Sequence, residues 1–186
     1  MLGASRFVSA ARTEAPVREI AARGSWASAV PMRLIDQIQA EGYQLGVFPG
    51  NPPDKIVGLD RTAFRHVPDL VATRGDSEIA SAWIRWLGAR DPAKPFFGFL
   101  FFESAPGGCK PGYEQPTPLR AGATRMEERR SCYDTAIHHA DAQVGAVLDD
   151  LAARGLADST IVIVTSDHGQ EFDENGLGFH GHGSSN

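Results

Sequence analysis

Tyr133–Phe172 reads YDTAIHHADAQVGAVLDDLAARGLADSTIVIVTSDHGQEF, and this stretch decides the fold. Ile137, Ala140, Val144, Val147, Leu148 and Leu151 recur at the three- and four-residue spacing of an amphipathic helix, and Gly155 supplies its stop. The spacing predicts a helix from about Met126 to Arg154. Ile161 to Val164 then run apolar without alternation, the pattern of a strand buried on both faces in a parallel sheet. The chain leaves that expected strand through Asp167, His168 and Gly169.

The upstream sequence repeats the same order of elements. PMRLIDQIQAEG reads as a helix with Pro31 in the first turn, Leu34, Ile35 and Ile38 on its apolar face and Gly42 as its stop. YQLGVFP follows as a short strand, and Pro49 to Gly58, broken by three prolines, as an irregular loop. DSEIASAWIRWLGAR is an amphipathic helix with Asp76 or Ser77 as N-cap. KPFFGFLFFES is a second strand expected to be buried on both faces, with Glu103 and Ser104 at its C-terminal end and the Pro/Gly-rich loop 105–122 beyond it. Strands alternating with helices imply an α/β fold, a three-layer αβα sandwich on a mostly parallel sheet. Residues 31–186 form that α/β core, and residues 1–30 carry no defined pattern. Ligands of such sheets gather beyond the C-terminal ends of the strands, where Asp167 and His168 fall.

Composition excludes several function classes. With 186 residues, 42% hydrophobic and 22% charged, the chain has the apolar content of one soluble globular domain. A net charge of -5 and the lack of a basic stripe argue against nucleic acid as a partner. The densest apolar run, Pro95 to Phe102, is far short of the roughly 20 residues of a membrane helix. The N-terminus lacks the apolar core of a secretory signal. Cys109 and Cys132 fit neither a zinc framework nor a disulfide-dense fold and read as two unrelated thiols; an oxidising compartment is the condition that would join them.

The chemistry concentrates at the C-terminal end, where three of six histidines, His168, His180 and His182, lie among glycines behind Asp167. An Asp oxygen and a neutral imidazole nitrogen suit zinc or manganese better than calcium or magnesium, which favour an all-oxygen shell. The competing reading is a cap followed by solvated loop histidines. A buried strand delivering the Asp-His pair, and a GFHGH turn able to return histidines toward it, favour a divalent metal site.

The stretch from Tyr133 to Phe172, with Asp141 ahead of "QVG", the "LAARGLADST" turn and an apolar strand ending in "SDHG", resembles the sulfatase-like members of the alkaline phosphatase superfamily. PMRLIDQIQAEGYQLGVF and DPAKPFFGFLFFESAP are similar to that family's middle segments. The continuation DENGLGFHGHGSSN resembles the sulfatase-like inner-membrane proteins of Gram-negative bacteria that act in lipopolysaccharide homeostasis, and the lipid A phosphoethanolamine transferases. The resemblance implies an alkaline-phosphatase-like fold, incomplete at both ends, and a metal held by Asp167 and His168. It also implies substrate contacts from His180 and His182, and a covalent mechanism on sulfate or phosphate esters, lipid-linked ones included. The parent would be a periplasmic domain anchored in the inner membrane by segments absent from this chain.

GASRF, Gly3 to Phe7, resembles the segment that carries the nucleophile in the inner-membrane group, which makes Ser5 the candidate nucleophile and Arg6 a candidate anion contact. An N-terminal serine of no catalytic consequence is the alternative. EAPVREIAARG keeps the spacing of the sulfatase signature but has Glu14 where that signature needs Cys or Ser. The loop SAPGGCKPG lacks the histidine that hydrolytic members carry there, and the first metal carboxylate is expected on a strand upstream of Ser5. Two functions therefore remain open: a metal-dependent hydrolase or transferase whose 186-residue portion is inactive alone, and a catalytically degenerate regulatory domain of lipopolysaccharide homeostasis.

Overall fold

In a computed structural model, described over residues 33–50, 64, 67, 71, 73, 75–103, 112–116, 118–173 and 176, a parallel pair of strands forms the centre. β1 (Gln44–Pro49) and β2 (Phe96–Phe101) pair in register from Gln44↔Phe96 to Pro49↔Phe101. The helices are α1 (Arg33–Ala40), α2 (Asp76–Ala89) and α3 (Arg125–Ala153), the last followed by a single 3-10 turn at Ala157–Ser159.

Side-chain alternation along the strands builds two cores. Leu45 and Val47 of β1, with Phe97 and Phe99 of β2, face Ile35 and Ile38 of α1 together with Phe64 and Val67. Phe48, Phe96 and Leu100 point the other way, onto Ile79, Trp83 and Leu87 of α2 and Leu151 of α3. Helices thus cover both faces of the sheet, the αβα layering expected from the element order.

Close approach of α2 to the sheet depends on two glycines that stand opposite each other, Gly46 and Gly98. A Cβ on Gly98 would run into the Trp83 indole, and one on Gly46 would lie 2.8 Å from Trp86 Cε2. Trp83 and Trp86 stack at 5.3 Å over this floor, with the Phe48 ring edge-on to both.

Two buried side chains fix where the strands end. The Thr73 hydroxyl donates to the Pro49 carbonyl at 2.6 Å, and Asp76 Oδ1 accepts from the Glu103 N–H at 2.9 Å. Asp76 is therefore not the helix cap expected for it, and neither is Ser77. The N-cap is Gly75, whose φ of 103° leaves the first carboxylate of α2 turned toward the exit of β2.

Several expectations are corrected. Leu34 is exposed, so α1 buries a narrower face than its spacing suggested. On α3, Leu151 is buried while Ile137 and Leu148 are exposed, because the helix meets α2 along one line rather than lying in a groove. β2 is half-buried along its whole length rather than sealed on both faces. The largest departure is Ile161–Val164: it joins no ladder, and its side chains are 91%, 48%, 81% and 71% exposed. A strand exists only by pairing, and the described sheet has two strands, neither beside this run. Cys132 is disulfide-bonded, which overturns its reading as an unrelated thiol; Cys109 is the one other cysteine in the sequence.

Candidate functional site

Asp167 and His168 lie where the backbone has left the exposed apolar run, and their geometry is local. Asp167 Oδ1 accepts the His168 backbone N–H at 3.0 Å, an Asx-type contact that folds the carboxylate back over its neighbour. His168 Nδ1 lies 2.7 Å from the Gly169 carbonyl. A carbonyl can only accept, so Nδ1 donates to it, which makes Nε2 the ring nitrogen suited to ligate an ion. Nε2 stands 3.6 Å from Asp167 Oδ2.

That separation fits a shared metal ion. Two zinc ligands at bond lengths of about 2.0–2.1 Å and the tetrahedral angle lie roughly 3.4 Å apart. Asp167 Oδ2 and His168 Nε2 therefore match two corners of one coordination shell, with the second histidine nitrogen oriented by a backbone carbonyl, the usual outer partner of a ligating imidazole. Both side chains are solvent-accessible, at 67% for Asp167 and 39% for His168. No third His, Cys, Asp or Glu joins them among the described residues. Ser5, Arg6, His180 and His182 lie outside the described residues.

The expected buried strand does not deliver the pair, so its position is fixed from the other side, by residues the sequence reading passed over. Glu171 and Phe172, three and four residues after His168, are buried. The Phe172 ring meets Tyr133 of α3 edge-on at 5.3 Å and lies 5.4 Å beneath the Arg130 guanidinium. Arg130 and Tyr133 are three residues apart and so share one face of the helix. Asp173, at φ 69°, and Gly176, at φ 71°, then turn the chain, with the Gly176 N–H donating to the Asp173 carbonyl at 3.1 Å. The available signal was a lone aromatic in the polar QEFDENG stretch, opposite a helix carrying an aromatic and a cation at helical spacing.

The same half of α3 holds the end of the loop that follows β2. Gln115 Nε2 donates to Ser131 Oγ at 2.7 Å, and Tyr113 stacks on His139 at 3.7 Å with planes 10° apart. His139 Nε2 in turn lies 3.3 Å from Ser77 Oγ at the start of α2. Glu103, the last described residue before residues 104–111, sits where β2 exits under the Asp76 contact.

Comparison with known proteins adds two findings. A family model described as Sulfatase matches residues 28–186. The chain is similar to the inner membrane protein YejM of Salmonella typhimurium and to that of Salmonella typhi. Each is 27% identical over 148 residues, covering 78% of this chain and 23% of the relative. The chain spans under a quarter of the length of these curated relatives.

Proposed function

This chain belongs to the sulfatase family, and on that premise we propose that it is part of a metal-dependent hydrolase or transferase acting on sulfate or phosphate esters. Domains of this family generally use a divalent metal, and the 3.6 Å pairing of Asp167 Oδ2 with His168 Nε2 is the observation that carries the reading here. A bound divalent ion would polarise a sulfuryl or phosphoryl oxygen and offset charge developing on the transferring group. Asp167 and His168 would hold it, Gly169 fixing the imidazole tautomer and Phe172 tethering the turn to α3. Zinc or manganese suits one carboxylate and one imidazole. Ser5 is the proposed nucleophile, with Arg6, His180 and His182 proposed as substrate contacts.

Likeness to an inner membrane protein supports a place in the cell envelope. The disulfide at Cys132 supports its oxidising, periplasmic side, since such bonds persist in oxidising compartments. Among the described residues no helix is long and apolar enough to cross a membrane, so anchoring is assigned to segments outside them. A lipid-linked ester is the proposed substrate class.

The deciding measurement is metal content by elemental analysis after dialysis, on the protein made from its complete reading frame. About one or two equivalents of zinc or manganese are expected, falling by at least one equivalent in the Asp167→Ala, His168→Ala double variant. Unchanged metal content would remove the site. Turnover of an aryl sulfate or aryl phosphodiester that is lost in Ser5→Ala supports the enzyme. A metal-replete protein without turnover that still binds lipopolysaccharide supports a regulatory domain instead, the reading favoured by the histidine-free SAPGGCKPG loop.

A further inference from the structure

The disulfide at Cys132 has one possible partner within the chain, Cys109, because the sequence holds two cysteines. Cys109 lies outside the described residues, and the chain that follows it supplies a geometric check. Tyr113, four residues on, stacks on His139 at 3.7 Å with planes 10° apart. Cys132 and His139 are seven residues apart, two helical turns, so they share one face of α3 and stand about 10.5 Å from each other along the axis. Four residues of chain reach at most roughly 14 Å, so a bond from Cys109 to Cys132 and the stack of Tyr113 on His139 fit one short segment laid along that face. Gly112, at φ 88°, turns the chain just before Tyr113, and Gln115 Nε2 then returns to Ser131 Oγ at 2.7 Å. Ser131, Cys132 and His139 of α3 thus meet three successive points of the loop that follows β2.

We propose that Cys109 and Cys132 are joined and that their bond is a redox-sensitive strap, which holds the loop beyond β2 on the first half of α3 while oxidised and releases it when a dithiol reduces the bond. Its two other anchors are an aromatic stack and a single hydrogen bond, both at exposed or half-buried side chains, and loop ends held by such contacts alone open readily. Cys132 is itself half-buried rather than sealed in the core, so thiol exchange can reach it. One thiolate of the dithiol attacks a sulfur of the bond and forms a mixed disulfide. The second thiolate displaces the protein sulfur, so the dithiol leaves as its own cyclic disulfide, and Cys109 and Cys132, having gained two electrons and two protons, become thiols. The change stays local, because Phe48, Ile79, Trp83 and Leu87 pack β1 and α2 together without any residue of the strap. It falls beside the Asp-His turn, because Cys132 immediately precedes Tyr133, the ring that meets Phe172.

The proposal stands apart from the metal reading, and its test has no activity readout. The protein made from its complete reading frame would be alkylated and digested with trypsin without reductant. Mass spectrometry is expected to find the peptide of residues 91–120 joined to that of residues 131–154, the two separating on reduction. Cys132 joined to any other cysteine, one in a second copy included, overturns the proposal. Amide hydrogen exchange would then be followed in the oxidised protein, after reduction with dithiothreitol and after reoxidation. Amides of residues 112–115 are expected to exchange at least tenfold faster when reduced and to recover on reoxidation, while those of β1 and β2 stay within about twofold. The Cys109→Ser, Cys132→Ser double variant is expected to match the reduced protein without any reductant. Unchanged exchange at residues 112–115, in the reduced protein or in the double variant, overturns the strap. So does a loss of protection throughout β1 and β2, which would make the bond a staple of the whole fold.

Discussion

At the scale of single residues, the two glycines under the indoles carry the sharpest structural demand. Gly98→Ala forces a methyl into the Trp83 ring in a packed core, and overpacking of this kind costs about 1–3 kcal/mol. Urea denaturation should show that loss, whereas Gly145→Ala, on α3 with open space around it, should leave stability the same or higher. Phe172→Ala removes the tether of the Asp-His turn. It is expected to weaken zinc affinity in a fluorescent-chelator competition, with Phe172→Leu restoring part of it. Asp167 and His168 were singled out because the apolar run before them read as a buried strand and the GFHGH turn could return histidines toward them, yet among the described residues that run joins no sheet. Phe172, Tyr133 and Arg130 were not, because their meeting depends on where a turn folds back, and no local spacing encodes that.

At the scale of elements, the start of α3 is closed by a capping box: Thr124 Oγ1 accepts the Glu127 N–H at 3.2 Å and the Glu127 carboxylate accepts the Thr124 N–H at 2.6 Å. The Thr124 N–H, the Arg120 guanidinium at 2.8 Å and the Thr124 side chain together pull the Glu127 carboxyl down to about 2 from its usual 4.5. A depressed carboxyl favours the folded form above the unfolded value and ceases to do so as pH falls through the folded one. The first turn of α3 should therefore loosen between about pH 4.5 and pH 2. Amide exchange at Glu127 and Glu128 checks this, with Glu127→Gln flattening the pH dependence; Thr124→Ala should cost about 1 kcal/mol at neutral pH. α1, β1, α2 and α3 were readable from the sequence within a residue or two at their ends, and β2 from its continuous apolar run, which overshot its C-terminal end by three residues. The TIVIV run was misjudged for a physical reason. Helices satisfy their hydrogen bonds internally, whereas a strand's pattern announces a need for neighbours and does not supply them.

At the scale of the whole molecule, layering on both faces of β1 and β2 follows from alternation alone and was legible, but the covalent state of Cys132 was not, since a thiol's partner is set by compartment and approach. Reducing that bond, or replacing Cys132 by Ser, is expected to destabilise the protein by about 2–5 kcal/mol, measured as a lowered denaturation midpoint in the presence of reductant. The loop end carried by Tyr113 and Gln115 should become the first site of limited proteolysis in the reduced protein. The stacked indoles on their glycine floor have an optical consequence as well. Two indoles whose centroids lie 5.3 Å apart, with planes 29° apart, couple their excited states, and Trp83, almost fully buried with no hydrogen bond to its Nε1, emits from a dry environment. A Trp26→Phe variant retains only this pair, so an excitonic doublet in circular dichroism and a blue-shifted emission become a direct gauge of whether α2 is seated on the sheet.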